Sequence, residues 1–234
     1  MPLVRATVGR VRDYRLGKIP AKGKEADSIK SPGMSSLSLA ETPTAFHVTV
    51  LPDTPFLVLP EVSSERREYA PIGWLEPPTV PSNLVRVLPG ATPGLFAVLT
   101  SAMHMAWLRT IGGRLKSDYR YSIGLVYNTF PMPPAKDLSA LAPHAQAILD
   151  ARARHPGATL ADLYDPDLMP ADLRRAHRDN DRAVDRLYRR AAFALEGDRV
   201  AHLLGMYEQQ VAGMLAAQKQ KKPRRTTKPK VVKA

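Results

Sequence analysis

The chain has 234 residues, 34 lysines and arginines against 22 acidic residues, a net charge of +12 and no cysteine. It therefore has neither a disulfide framework nor a thiolate metal site, and no run of 18 apolar residues offers a membrane span. The length allows one large domain or two small ones, and the opening Met1-Pro2-Leu3-Val4-Arg5 lacks a signal-peptide core, so a cytoplasmic location is expected.

In chain order, residues 1 to 40 begin with short basic alternations (Val4-Arg5, Val8-Gly9-Arg10-Val11-Arg12) and loosen into a polar segment from Lys18 to Ser38. No capped, periodic helix is predicted there. From Ala45 to Val87 the signals are for short strands at Phe46–Val50, Phe56–Leu59, Ile72–Leu75 and Leu84–Val87, separated by prolines or polar clusters. Thr92-Pro93 offers an N-cap with proline at the first helical position. The helix it starts places Phe96, Leu99, Met103, Ala106 and Trp107 on one side and ends at Gly112-Gly113. A strand from Arg120 to Asn128 precedes the stop at Pro131-Met132-Pro133-Pro134.

Beyond Pro134, alanine, leucine and charged residues predict helix. One helix covers Leu138 to Arg154, Thr159 and Asp162 suggest a capping box, and two further apolar stripes run over 173–191 and 200–214. Asp179, Asp181 and Asp185, interleaved with Arg178, Arg182 and Arg186, read as an exposed face laced with salt bridges. Eight of the cations lie in residues 219 to 234, which hold no acid; setting them aside leaves +4 for the rest. That tail reads as a disordered polycation with non-specific, salt-sensitive affinity for nucleic acid.

The richest stretch runs from Arg109 to Ser122, with four cations, one carboxylate and two tyrosines. If it is extended after Gly113, alternation puts Arg114, Lys116, Asp118, Arg120 and Ser122 on one face, and Tyr119 and Tyr121 on the other. Arginine suits guanine edges, aspartate accepts from cytosine, and lysine neutralises phosphate; a charge-rich solvated strand is the competing reading. Ser63, Ser64, Arg66 and Arg67 form a second polar loop able to clamp a DNA backbone. Tyr119, Tyr121 and Trp107 are assigned to packing. Chemistry of other kinds lacks a pattern: the six histidines are scattered, with no His-x-x-x-His pair, and neither common Gly-rich phosphate loop occurs.

Several stretches carry a resemblance: Val62 to Gly73 (Val-Ser-Ser-Glu-Arg-Arg-Glu-Tyr-Ala-Pro-Ile-Gly), Leu99 to Trp107, Gly113 to Ser122, Leu125 to Pro131, Leu163 to Pro166 with Met169-Pro170, and His177 to Tyr188. In order and spacing, over about residues 45 to 190, the chain resembles the C-terminal portion of the MmeI-like (type IIL) family of DNA adenine methyltransferases and restriction–modification enzymes. The resemblance implies a methyltransferase domain upstream, then a target-recognition domain, then a helical segment. The family's Gly-containing S-adenosylmethionine motif, its Asn-Pro-Pro-Tyr-like catalytic motif and its nuclease motif do not occur here. Tyr127-Asn128-Thr129-Phe130-Pro131 lacks the adjacent prolines of the catalytic motif.

The resemblance therefore implies an α+β chain: a mixed-sheet target-recognition domain over residues 1–131, a helical segment over 132–218 and the basic tail over 219–234. It implies sequence-specific binding of double-stranded DNA for an N6-adenine methyltransferase. No cofactor is expected in this chain; S-adenosylmethionine is expected on a separate catalytic domain, on a separately encoded chain if the gene is split, while a truncated remnant is the other origin considered. The rivals are a general basic nucleic-acid-binding protein and a degenerate methyltransferase with weak S-adenosylmethionine-dependent activity.

Overall fold

The structure, a computed structural model, describes residues 1–29, 31–45, 51–135 and 137–221, with the backbone alone for 218–221. The expected strand at Phe46–Val50 and the basic residues past 221 lie outside the described residues. The chain forms two compact units, residues 1–51 and 52–234.

The first unit corrects the expectation of a segment without helix. Pro2–Arg15 form α1, with proline in its first turn, and Met34–Ala40 form α2. The pattern read as short alternations is helical, because Val4, Val8 and Val11 recur four and three residues apart. Arg15, in the last turn of α1, donates to the carbonyls of Leu39 (2.7 Å), Thr42 (3.1 Å) and Ala45 (3.1 Å). One guanidinium thus ties the last turn of α1 to a carbonyl at the end of α2 and to two in the turn that follows it.

The second unit is α+β, as expected, with small antiparallel sheets and a helical C-terminal part. Phe56–Pro60 (β1) lies between Gly73–Leu75 (β3) and Val85–Pro89 (β4), in the order β3-β1-β4. Phe56, Leu57 and Leu59 are fully buried. The other sheet joins Val62–Ser63 (β2), Asp118–Arg120 (β6) and Gly113–Leu115 (β5), in the order β2-β6-β5.

Between the sheets in sequence, the single helix expected from Thr92 to Gly112 is two: α3 (Pro93–Leu99) and α4 (Ala102–Ile111). Thr92 caps α3 as the sequence suggests, its hydroxyl accepting from Leu95 N. The break has a side-chain cause. Thr100 Oγ1 donates back to Phe96 O at 2.7 Å, and Ser101 Oγ donates to Val98 O at 2.6 Å while accepting from His104 N as the N-cap of α4. Hydroxyls that bond to local backbone compete with helix continuation. Gly112 ends α4, and a Cβ there would lie 2.4 Å from Leu108 O.

The C-terminal part comprises α5 (Ala142–Ala153), α6 (Leu160–Leu163), α7 (Ala171–Tyr188) and α8 (Glu196–Lys221). The expected capping box is present: Thr159 accepts from Asp162 N, and the Asp162 carboxylate accepts from Thr159 N. Helix α5 packs on α3 and α7, and α4 packs on α7 and α8. Phe96, Leu99, Met103, Trp107, Ile148, Leu173, Val184 and Leu203 join one core with Leu57 and Ile72. Each such side chain contributes about 1.5–3 kcal/mol relative to exposure. Residues before and after Pro131 therefore share this core.

Candidate DNA interface

The basic stretch is a hairpin, which corrects the single extended strand. Gly113 pairs with Arg120, Arg114 with Tyr119 and Leu115 with Asp118, leaving Lys116 and Ser117 as a two-residue turn. Such turns match strand twist when the first central residue has positive φ, and Lys116 has φ 57°. Lysine is strained in that region, at roughly 1–2 kcal/mol. The turn reverses the chain, so the five predicted residues do not share a face. Cross-strand partners lie on one side of a sheet, which sets Arg114 with Tyr119, and Asp118 with Leu115 and Arg120.

Each face has its own environment. Ser63, Tyr119 and Arg114 form one cross-strand row: Ser63 and Tyr119 are buried, and the Arg114 guanidinium lies 4.1 Å from the Tyr119 ring centroid. On the other side Arg120 is exposed, with its guanidinium 3.4 Å from Glu61 Oε1, which Arg86 also reaches at 3.0 Å. Lys116 projects from the exposed turn. The strand expected to run from Arg120 to Asn128 stops at Arg120. Ser122 accepts from Leu125 N at 3.3 Å and caps a π-helical turn over Ile123–Tyr127. Tyr121 is buried, as assigned, and its hydroxyl lies 2.9 Å from His104 Nε2.

Beside the hairpin is an open depression of about 480 Å³ lined by Glu61, Arg86, Arg120, Ser122 and Gly124, among others. Glu61 and Arg86 went unrecognised in the sequence. The alternation Leu84-Val85-Arg86-Val87 signals an outward Arg86, but nothing local shows that it meets Glu61; that follows from the β1–β4 register, which sets Arg86 opposite Leu59.

The predicted polar loop divides in two. Ser64 Oγ accepts from Arg66 N at 3.3 Å, and Arg66 forms an exposed, two-oxygen ion pair with Asp167 at 2.8 and 3.1 Å. Ser63 Oγ and Arg67 Nε are buried without hydrogen-bond partners among the described residues. Ser63 therefore offers no hydroxyl at the surface. Arg109, at the end of α4, holds the loop by donating to the carbonyls of Arg67 (3.3 Å) and Glu68 (3.0 Å) while pairing with Glu196.

Further along, the loop is fixed by a buried polar belt. Tyr69 donates to Asp181 Oδ2 at 2.6 Å, Asp181 Oδ1 accepts from Ala102 N at 2.7 Å, and the Tyr69 ring stacks on His177 at 4.1 Å. Arg152 donates to Ile72 O at 2.9 Å and to Tyr164 Oη at 3.0 Å. Tyr164 in turn donates to His177 Nε2 at 2.6 Å, and His177 Nδ1 donates to Thr100 O at 3.3 Å. Asp181 and Asp185 thus depart from the exposed face expected of them: both are buried, and only Asp179, paired with Arg182, behaves as read. A period of 3.6 places 177, 181, 184 and 188 together, but residue type favoured exposure. Desolvation lifts the Asp181 carboxyl to about 6, and it holds the buried imidazoles of His104 and His177 down to about 3.

Two family models account for nearly all of this architecture: "MmeI, target recognition domain" over residues 1–134, and "MmeI, C-terminal domain" over residues 132–215. The chain belongs to the MmeI family. DNA methyltransferase A of Bacillus subtilis (strain 168) is 41% identical over 182 residues, 77% of this chain but 21% of that protein. The solved structure of the type IIL restriction-modification enzyme MmeI in complex with DNA matches with a TM-score of 0.77 at 40% identity, covering 91% of this chain and 27% of that one. The chain thus spans 21% and 27% of the lengths of these two proteins.

Proposed function

We propose that this chain reads duplex DNA for a site-specific N6-adenine methyltransferase of the restriction–modification or phage-defence type, in the cytoplasm. The observation that supports it is the exposed hairpin carrying Arg114, Lys116 and Arg120 inside the part of the chain matched by the target recognition model. An enzyme that extrudes its target base needs a separate surface to hold the duplex in register. Arg120, with Arg86 and Glu61 beside it, faces base edges; Glu61 keeps both guanidinium groups oriented until DNA displaces it. Lys116 meets phosphate from the turn. Asp118 accepts from a cytosine amino group, and Arg114, over the Tyr119 ring, is held by the carbonyls of Ser117 (3.5 Å) and Arg109 (3.4 Å) and adds positive charge to this side of the hairpin. Ser64 and Arg66 clamp the backbone, with Arg66 exchanging Asp167 for phosphate. The Ser122 hydroxyl serves its own cap and contributes less.

S-adenosylmethionine belongs, in this reading, to a catalytic domain outside these residues, in the same polypeptide or a separate one. The glycine in the first turn of α3 does not fit it. At the strand-to-helix junction between β4 and α3, where a glycine would admit a cofactor, a Cβ on Gly94 would lie 2.5 Å from Leu138 Cβ and 2.6 Å from Leu138 O. That glycine admits neighbouring backbone instead. Calorimetry with S-adenosylmethionine and this chain is expected to give no binding at micromolar concentration, and saturable binding with methyl transfer to DNA would favour a degenerate methyltransferase.

Removing residues 219–234 tests the reading against a general basic binder. Counterion release does not depend on sequence, so the truncated chain should show a shallower salt dependence in duplex binding and keep its sequence preference. Loss of all discrimination on truncation would assign the binding to the tail.

A further inference from the structure

The geometry points to the exposed arginine face of α7 as a second DNA-contacting surface, which grips duplex phosphates next to the hairpin. This inference rests on the reading of the chain as a DNA-recognition module. The buried side of α7 presents Leu173, Ala176, His177, Asn180, Asp181, Val184 and Tyr188 to the core. Opposite it, Arg175, Arg178, Arg182 and Arg186 are all exposed, at spacings of three, four and four residues. They line about 16 Å of helix.

A solvated helix face ordinarily alternates acids with bases at three- and four-residue spacing. This one does not. Asp179 offsets Arg182, whereas among the described residues Arg175, Arg178 and Arg186 enter no ion pair. Like charges at 178, 182 and 186 repel along the helix, a local penalty that, among the described residues, Asp179 relieves only at Arg182. A bound polyanion relieves it.

Two features favour phosphate as that polyanion. All four side chains are arginine, whose planar fork matches phosphate oxygens two at a time, and none is the lysine common on helices selected only for solubility. The face also begins where the recognition loop ends. Arg66 pairs with Asp167, and Arg174, at the first turn of α7, lies 3.6 Å from Glu68. Strand β2 at the head of that loop pairs directly with β6 of the hairpin. An open depression of about 490 Å³ lined by Arg174, Arg175, Arg178 and Arg182, with Asp179 as its one carboxylate, lies along the helix there. The helical segment thereby supplies sequence-independent grip while the hairpin supplies discrimination.

The test is salt-dependent binding of a fluorescent duplex by the full chain, in wild type and in the Arg178→Gln/Arg182→Gln/Arg186→Gln variant. Glutamine keeps the helix propensity and removes the charge. If the three arginines each neutralise a phosphate, the slope of log affinity against log salt falls by about 2.7. The wild type's loss of affinity between 50 and 200 mM salt then exceeds the variant's by roughly 40-fold. Each single Gln variant lowers the slope by about 0.9, and a triple Lys variant retains most of it. A wild type that binds duplex DNA with a slope unaltered in the triple Gln variant overturns the inference and leaves the hairpin reading standing. A wild type with no salt-dependent duplex binding removes both.

Discussion

Arg199→Met is expected to destabilise the chain by about 3–5 kcal/mol. Arg199, in the first turns of α8, donates to both oxygens of Asp185 on α7 at 3.1 and 2.6 Å, and both side chains are largely removed from water. Its charge also bears on Asp181 one turn away, so two neighbouring buried carboxylates depend on it. Taking away the cation leaves them uncompensated in a low-dielectric interior, where an unpaired charge is far more costly than the pair is valuable. Replacing both partners, Asp185→Leu with Arg199→Met, should therefore recover most of the loss. Chemical denaturation of wild type, the single variant and the double variant measures this. A single variant within about 1 kcal/mol of wild type would show that the pair is effectively solvated.

Acid is expected to destabilise the chain progressively below about pH 6, and the sign follows from three buried groups. His104 and His177 have folded-state values of about 3 against 6.5 for the free side chain, chiefly through desolvation. The unfolded chain thus binds more protons, and the stability these residues confer, full above pH 6.5, falls as pH drops towards 3. Asp181 works in the opposite sense. Its value of about 6 against 3.8 means that protonation favours the folded state, so its contribution grows as pH falls from 6 to 3.8. Two histidines outweigh one carboxyl. At about 1.4 kcal/mol per pH unit and proton, the net loss between pH 6.5 and pH 4 is about 4 kcal/mol. Denaturation midpoints at pH 7.5, 6, 5 and 4 read it directly, and a stability constant or rising down to pH 4 would mean that the imidazoles are hydrated.

The sequence made regular features legible and cooperative ones illegible. Strands β1, β3 and β4 carry short apolar runs between prolines, and the Thr92 cap and Thr159–Asp162 capping box are local chemistry, so each is readable without knowledge of the fold. The motif stretches around Ser63, Gly113 and His177 carried the family resemblance, and the candidate hairpin came with it. Its geometry did not. Alternation describes Gly113 to Ser122 equally well as one strand or as two, because Lys116-Ser117 lacks the glycine or asparagine that usually marks a two-residue turn. The same limit hid the burial of Asp181, Asp185 and His177. Their partners Tyr69, Arg199, Tyr164 and Thr100 lie between 13 and 112 residues away in sequence, and only the packed fold brings them together. The first helix was missed because valines at helical spacing sit among arginines that also alternate.

A binding selection from a pool of randomised duplexes tests the central claim most directly. The full chain is incubated at moderate salt as wild type, Arg120→Ala and Lys116→Ala. Because Arg120 is exposed, with more than half of its side chain open to solvent, its removal should leave stability within about 0.5 kcal/mol. The account predicts that wild type enriches a defined sequence. Arg120→Ala should relax one base pair of it, with roughly 1–3 kcal/mol of discrimination lost, while Lys116→Ala weakens all sequences alike. A wild-type pool that stays random after repeated rounds, although the duplex is bound, would contradict the assignment of this chain as the sequence reader.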